Sequence, residues 1–430
     1  MKVVIIGGVA GGATAAARIR RLSEQAEIVV FERSGFISYA NCGLPYYIGG
    51  TIEDENDLTL QTPESFWRRF RVKMNVHHEV TAIHPDSKTV TVKNLENGKI
   101  LTESYDKLVL SPGAKPIRLG FDGIDSDKIF TLRTVEDTLK LKKYTDEHHP
   151  KSAVVVGGGF IGIEVAENLR ELGIDVTLVE AADQLMAPFD RDMASFIHAE
   201  ILKNGIHLML DTMVEGFADT DCGIDVKLKN APTLHTDMVV MAIGVAPETT
   251  LAKEAGLELG IKGSIVVNDK METSIPDIYA VGDAVQIKNF ITDNDTLISL
   301  AGPANKQGRI AADNICGGES HYTGGQGSSV IKIFDMTAAT TGINEKTAKS
   351  LGIATDKVIL SPMSHAGYYP GGKMMTMKVL FEKESYRILG AQIVGFDGVD
   401  KRIDVLATAI RADMKAYELT ELDLAYAPPY

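Results

Sequence analysis

The residues best equipped for chemistry lie in Ser38-Tyr39-Ala40-Asn41-Cys42-Gly43-Leu44-Pro45-Tyr46, where a cysteine follows shortly after a glycine-rich turn. A thiolate there could attack a disulfide or cycle through a sulfenic acid. An exposed loop next to a helix N-terminus would favour that thiolate. The other two cysteines, Cys222 and Cys316, have no comparable flank and read as structural or incidental. All three are too far apart in sequence for a disulfide framework or a metal-ligand spacing, so no metal is expected.

Two repeated elements must position this sulfur. Lys2 to Ile6 is a β-branched run, followed by Gly7-Gly8-Val9-Ala10-Gly11-Gly12-Ala13 and a helical stretch from Thr14 to Leu22. Strand, glycine turn and helix in that order form the phosphate-cradling start of a dinucleotide fold, because glycines let backbone N–H groups approach a pyrophosphate closely. Glu27 to Phe31 reads as the next strand and ends at Glu32, 20 residues after Gly12, where a carboxylate can accept from a ribose diol. Val9 stands where the second glycine of this pattern is usual.

The second unit, Ala153-Val154-Val155-Val156-Gly157-Gly158-Gly159-Phe160-Ile161-Gly162, has the complete glycine spacing. Its helix is predicted from Ile163 to Leu172, stopped by Gly173, and the strand Asp175 to Val179 ends at Glu180. Two such units imply two dinucleotides. An acid at Glu180, followed by Ala181-Ala182 with no arginine for a 2′-phosphate, favours NADH and leaves NADPH open to a cation from a neighbouring loop. Between and after the units run Tyr105 to Ala114, a strand entering a Pro-Gly turn, then Met238 to Gly244, and then Thr273 to Asp283. The last delivers Asp283 behind a glycine, a position from which a carboxylate can bind a polyol chain.

The chain of 430 residues is long enough for two or three domains, and 44% hydrophobic with 24% charged residues is a globular composition. A net charge of −14 argues against a nucleic-acid surface, which needs clustered cations. No apolar run approaches the roughly 20 residues that span a bilayer, and Met1-Lys2 leads directly into a strand, so a cytoplasmic location is expected. From about Gly324 the pattern changes to strands at Ser329 to Phe334, Thr376 to Phe381 and Ile388 to Val394 with one helix, Lys401 to Met414, which reads as an α+β domain. The abrupt end at Tyr430 suggests that the natural chain is longer.

The ordered motifs Gly7 to Gly12 with Glu32, Tyr105 to Ala114, Gly157 to Glu164 and Thr273 to Asp283 resemble those of the flavin-dependent pyridine nucleotide–disulfide oxidoreductases over essentially the whole chain. Within that family, the Cys42 loop, His365-Ala366-Gly367-Tyr368-Tyr369-Pro370-Gly371 and Tyr426-Ala427-Pro428-Pro429-Tyr430 look like the coenzyme A disulfide reductase subgroup. The resemblance implies an α/β fold with two Rossmann-like domains and a C-terminal α+β dimerisation domain. FAD would bind residues 1–149 and 266–323, NAD(P)H residues 150–265, and residues 324–430 would pair two subunits into a homodimer. FAD would be held by Gly7, Gly8, Ala10, Gly11, Gly12, Glu32, Arg33, Ser111, Arg133 and Asp283. The nicotinamide cofactor would be lined by Gly157, Gly159, Phe160, Ile161, Gly162, Glu164, Glu180 and Gly244.

Disulfide reductases with two cysteines place the second one four or five residues on, where this chain has Tyr46 and Tyr47. The resemblance therefore implies that Cys42 exchanges with an external thiol, forming a mixed disulfide with coenzyme A, and that Tyr426 and Tyr368 of the partner subunit supply the acid, with Tyr369 as the rival. It places the coenzyme A groove along Thr14, Arg18 and Arg21, which share one helix face, with Ser38 and Asn41 beside the sulfur. The reductases have a lysine near Trp67-Arg68-Arg69 where this chain has Phe70, so Arg69 and Arg71 are the candidate substitutes. Three rivals stay open: an NADH oxidase working through a sulfenic acid, a persulfide or polysulfide reductase, and a flavoprotein that only signals its redox state. Peroxidases of this family carry a histidine where this chain has Ala10.

Overall fold

The computed structural model describes all residues from Met1 to Tyr430. They form two compact units, one of Met1–Ile117, Arg133–Tyr144 and Val245–Gly325, the other of Arg118–Leu132, Thr145–Gly244 and Gln326–Tyr430.

In the first unit, Lys2–Ile6 is the central strand of an all-parallel sheet in the order Ile278–Ala280, Lys107–Leu110, Lys2–Ile6, Glu27–Phe31, Lys73–Asn75. Its β-branched run is buried on both faces, as a central parallel strand requires. The helix begins at Ala10, four residues earlier than the sequence pattern indicated, and ends at Leu22. The glycines that look like loop are its first turn. Gly308 lets the helix Ala301–Ile315 lie directly against it, since a Cβ there would sit 2.5 Å from the Gly11 carbonyl oxygen. A separate antiparallel sheet of His78–His84, Thr89–Asn94 and Ile100–Ser104 had no recognised sequence signal.

The second unit repeats the plan with a parallel sheet ordered His207–Met209, Asp175–Val179, Ser152–Val156, Met238–Met241, Ile129–Thr131. Its first helix runs Phe160–Glu171, again starting within the glycine motif. A three-stranded antiparallel meander, Val214–Thr220, Gly223–Leu228 and Leu234–Thr236, packs on this sheet through Phe217, Ile224 and Val226. The C-terminal region is α+β as expected, but richer. Its five-stranded antiparallel sheet adds Met336–Gly342 and an edge strand, Thr355–Leu360, and a short helix Glu345–Ser350 joins the long one, Val399–Arg411. The long helix buries Val399, Ile403 and Leu406 against Ala339, Ala391 and Ile393. The edge strand leaves Val358, Ile359 and Leu360 about half exposed.

One polar cluster lies within this second unit. Asp190, Asp192 and Glu345 offer oxygens within 4.8 Å of one another, an arrangement that could take a divalent ion. The cation already among them is the ammonium of Lys378, 1% exposed, at 2.9 Å from both Asp190 and Asp192 and bonded to Glu345. Gln392 completes the cluster by donating to Asp190 at 2.7 Å. Burial pulls the Lys378 pKa down, but its bonds to Glu345, Asp192 and Asp190 outweigh that and leave it raised. Burial pushes Asp192 and Glu345 up, and the bond of Asp192 to Lys378 and those of Glu345 to Lys357 and Lys378 reverse this to leave both below the usual carboxylate range.

Replacing Lys378 by methionine removes the buried cation from beside Asp190 and Asp192, leaves Glu345 with Lys357 alone, and should cost about 3–5 kcal/mol in chemical unfolding. Because the folded carboxylate pKa values are depressed, the contribution of the cluster is present above about pH 4 and lost as the pH falls through the lower folded values. The gap between wild type and Lys378→Met should therefore narrow in acid.

Candidate active site

The first glycine turn is shaped by backbone contact. A Cβ on Gly12 would stand 2.0 Å from the Gly7 carbonyl oxygen, and one on Gly7, whose φ is +98°, would stand 2.1 Å from the carbonyl oxygen of Ser111. Only glycine lets strand, turn and helix approach this closely. The helix that opens at Ala10 has no side-chain cap and no acid in its first turn, so its leading N–H groups face outward with nothing from the chain to satisfy them. That is a cradle for a pyrophosphate. Glu32, nearly buried, accepts from the N–H groups of Gly8 at 2.8 Å and Ser34 at 2.9 Å, which fixes its carboxylate at the end of the second strand. Arg33 beside it is exposed.

Asp283 does stand behind its glycine, three residues past the end of the strand Ile278–Ala280. It pairs with Arg133 at 2.7 Å, and Arg133 also donates from Nε to the carbonyl of Ala114 at 3.1 Å. The carbonyl of Arg133 in turn accepts from the side-chain amide of Asn41 at 2.7 Å. The residue next to Cys42 is thus roped through Arg133 to the carboxylate predicted to bind the flavin chain. These residue types, in this cradle, fit a bound FAD.

Cys42 is exposed in the single 3-10 turn Asn41–Gly43, directly before the short helix Leu44–Ile48. Leu44, Pro45 and Ile48 are buried and hold the turn down. Ser38 starts the loop in the left-handed region at φ 50°, with its N–H bonded to the Gly8 carbonyl and its own carbonyl bonded to Leu60 N–H. A non-glycine residue held there stores local strain, which two backbone bonds maintain. Nothing in the composition of the loop signals this.

The cationic residues divide into two groups. Arg18 pairs with Asp313 at 2.7 Å and Thr14 donates to Asn305 at 2.8 Å, so two of the three expected groove residues already have protein partners on the helix Ala301–Ile315. Sequence gave no hint of these partners, which lie nearly 300 residues away. Arg21 and Arg69 instead lean on one aromatic ring: their guanidinium carbons lie 5.7 Å and 5.1 Å from the centre of Phe70. Arg71 lies 5.7 Å from the Trp67 ring. Phe70 thus replaces a point charge with a platform that gathers two.

In the second unit, the glycine geometry recurs. A Cβ on Gly162 would stand 1.8 Å from the Gly157 carbonyl oxygen, and Gly157 has φ +112° against the carbonyl of Ala242. Glu180 accepts from Gly158 at 2.6 Å and Ala182 at 2.8 Å, as Glu32 does in the first unit, which adds Gly158 to the expected set. Phe160 and Ile161 open an uncapped helix, and Gly244 lies past the strand Met238–Met241 at φ +108°. These residues fit a second dinucleotide. Glu164 in the same helix has its pKa pushed up to about 7, first by burial and then by the charge of Glu167 one turn on. Elsewhere in this unit, the hydroxyls of Tyr368 and Tyr426 lie 2.9 Å apart on exposed side chains. The bond to Tyr368 raises the pKa of Tyr426. Tyr369 packs edge-on against His365 at 5.5 Å and stands outside that pair.

Comparison with known proteins shows the family of the chain. Residues 1–308 match the pyridine nucleotide-disulphide oxidoreductase family, and residues 328–430 match its dimerisation domain. The chain is 37% identical over its whole length to the coenzyme A disulfide reductase of Staphylococcus aureus (strain JH9), spanning 96% of that protein. Among solved structures, reduced Bacillus anthracis CoADR-RHD superposes with a TM-score of 0.98 at 50% identity, covering all of this chain and 77% of that one. An NAD-dependent persulfide reductase from A. fulgidus gives 0.97 at 37% identity, covering all of this chain and 80% of that one. The two family models follow one another along nearly the whole chain, and the chain belongs to the pyridine nucleotide–disulphide oxidoreductase family.

Proposed function

We propose that this protein reduces coenzyme A disulfide with electrons from NAD(P)H, working as a homodimer through the single loop cysteine Cys42. The observation that carries the reading is the loop itself: an exposed sulfur, anchored by Asn41 to Arg133, with tyrosines at 46 and 47 in place of a second cysteine. FAD on the first unit and NADH on the second, with NADPH as the weaker donor, would supply the electron pair that splits the Cys42–S–S–CoA bond into the Cys42 thiolate and a second coenzyme A thiol. Gly7, Gly8, Ala10, Gly11, Gly12, Glu32, Arg33, Ser111, Arg133 and Asp283 hold the first, and Gly157, Gly159, Phe160, Ile161, Gly162, Glu164, Glu180 and Gly244 the second. A reducing cytoplasm is the compartment that suits this chemistry; no helix is long and apolar enough to cross a membrane.

The chain's own residues act as follows. Arg21, Arg69 and Arg71 receive the phosphates of the substrate, with Arg18 and Thr14 at the edge of the groove and Ser38 and Asn41 next to the sulfur. The Cys42 thiolate attacks one sulfur of the disulfide, forming Cys42–S–S–CoA and expelling one coenzyme A thiolate. The tyrosine pair, brought by the partner subunit, protonates that thiolate. The two hydroxyls, 2.9 Å apart, share one hydrogen bond, so the pair retains a second O–H proton for the leaving group. The half-exposed edge Val358, Ile359 and Leu360 offers apolar surface for the subunit contact.

Intact mass measured before and after reductant should show a coenzyme A-sized adduct on Cys42 that reduction removes. Steady-state rates should be highest with coenzyme A disulfide; faster turnover of a persulfide or of oxygen would reassign the oxidant. Cys42→Ser should lower the rate by at least about 10³-fold, and a native rate in that variant would end the mechanism. Tyr426→Phe should cost about 10²-fold in kcat with little change in NADH oxidation by a non-thiol acceptor.

The Glu164 carboxyl supplies a pH signature. Its folded pKa lies above that of an ordinary glutamate, so its contribution to stability is full below the unfolded value and is lost as the pH rises toward about 7. Glu164→Gln should therefore raise the melting temperature more at about pH 8 than at about pH 5.

A further inference from the structure

We propose that Cys222 is a second exchange-competent thiol of this protein, able to take one half of a small organic disulfide as a mixed disulfide. The proposal does not rest on the role given to Cys42, which belongs to the other compact unit.

Cys222 is the second of two residues, Asp221-Cys222, that turn the hairpin from the strand Val214–Thr220 into Gly223–Leu228. The next strand, Leu234–Thr236, pairs antiparallel with the second and sets His235 directly opposite Asp225. Such cross-strand pairs bring side chains on one face into contact. His235 Nδ1 lies 2.8 Å from Asp225 Oδ1, and His235 Nε2 lies 3.6 Å from the Cys222 sulfur. A carboxylate can only accept, so Nδ1 carries the proton and the Nε2 lone pair faces the thiol. Sulfur, imidazole and carboxylate therefore stand in a line, each bonded to the next, in the order that activates a cysteine nucleophile.

The turn is cut to admit the imidazole. A Cβ on Gly223 would fall 2.4 Å from the Thr236 carbonyl oxygen and 3.0 Å from His235 Nε2, so a larger residue would displace the ring from the sulfur. Cys222 is exposed, and His235 and Asp225 keep 49% and 37% of their side-chain surface, so the sulfur is open to a small disulfide. Cys316 differs: burial, with Asp313 adding to it, pushes its thiol pKa up.

The step balances within the reactants. His235 Nε2 takes the thiol proton, the thiolate displaces one sulfur of R–S–S–R, and Cys222–S–S–R forms as R–S⁻ leaves. The departing thiolate takes the proton from Nε2, so one disulfide is exchanged for another and the second half of the reagent is the reduced product. His235 is the proton carrier, and Asp225 positions it.

The test uses the FAD-loaded Cys42→Ser protein without NADH, treated with hydroxyethyl disulfide and followed by peptide-resolved mass spectrometry. Cys222 should acquire the adduct at least about tenfold faster than Cys316 and than Cys222 itself in the denatured chain, and dithiothreitol should remove it. His235→Ala should slow the reaction about tenfold, Asp225→Asn less, and free imidazole should restore part of the His235→Ala rate, which a merely structural histidine would not allow. Cys222→Ser in the otherwise native enzyme should leave NADH-dependent turnover unchanged. Equal rates for Cys222 with and without His235, or no recovery with imidazole in a variant that remains folded, would overturn the proposal.

Discussion

Both nucleotide cradles depend on one steric fact: the first and last glycines of each turn touch through the space where a side chain would be. At Gly12 and Gly162 that space ends 2.0 and 1.8 Å from a carbonyl oxygen of the preceding turn. A single methyl group at either place would push the helix off its strand and take the leading N–H groups with it. The order of the sheet, the fixed carboxylates of Glu32 and Glu180, and the attachment of the Cys42 loop to Gly8 through Ser38 all follow from that approach. Chemistry at the sulfur is thus built on an absence of side chains some 30 residues earlier in the chain.

Legibility in the sequence tracked how local each cause is. The strand–glycine–helix units, the acids that end their second strands and the lone cysteine were readable because each is specified by residues within about one supersecondary unit. The helix starts were misplaced by a few residues because glycine has poor intrinsic helix propensity, whereas here close packing decides. The antiparallel sheets escaped notice because strands such as Thr89–Asn94 are short and alternate weakly. Partners such as Asn305 for Thr14 and Asp313 for Arg18 are set by the packing of two distant helices, which no local pattern encodes.

Some residues changed meaning once placed. Asn41 was expected at the substrate, yet one of its two amide N–H groups is committed to the Arg133 carbonyl, so only its second N–H and its oxygen are left for substrate contact. Cys222, read as incidental for want of a flanking motif, gains its interest from a histidine 13 residues on and a carboxylate three residues on, brought together by strand register. The three acids around Lys378 show the reverse case: they resemble an ion site, and the side chain that answers them comes from the middle of the strand Met375–Glu382.

The Phe70 platform has a consequence for encounter as well as for binding. A chain carrying −14 charges repels a polyanionic substrate at long range, while Arg21 and Arg69, gathered on one ring, would attract it at short range if they form the phosphate site proposed above. Salt with a screening length of about 10 Å weakens the first effect before the second. Capture should therefore lose little of its speed as ionic strength rises, unlike the steep decline of a uniformly basic surface.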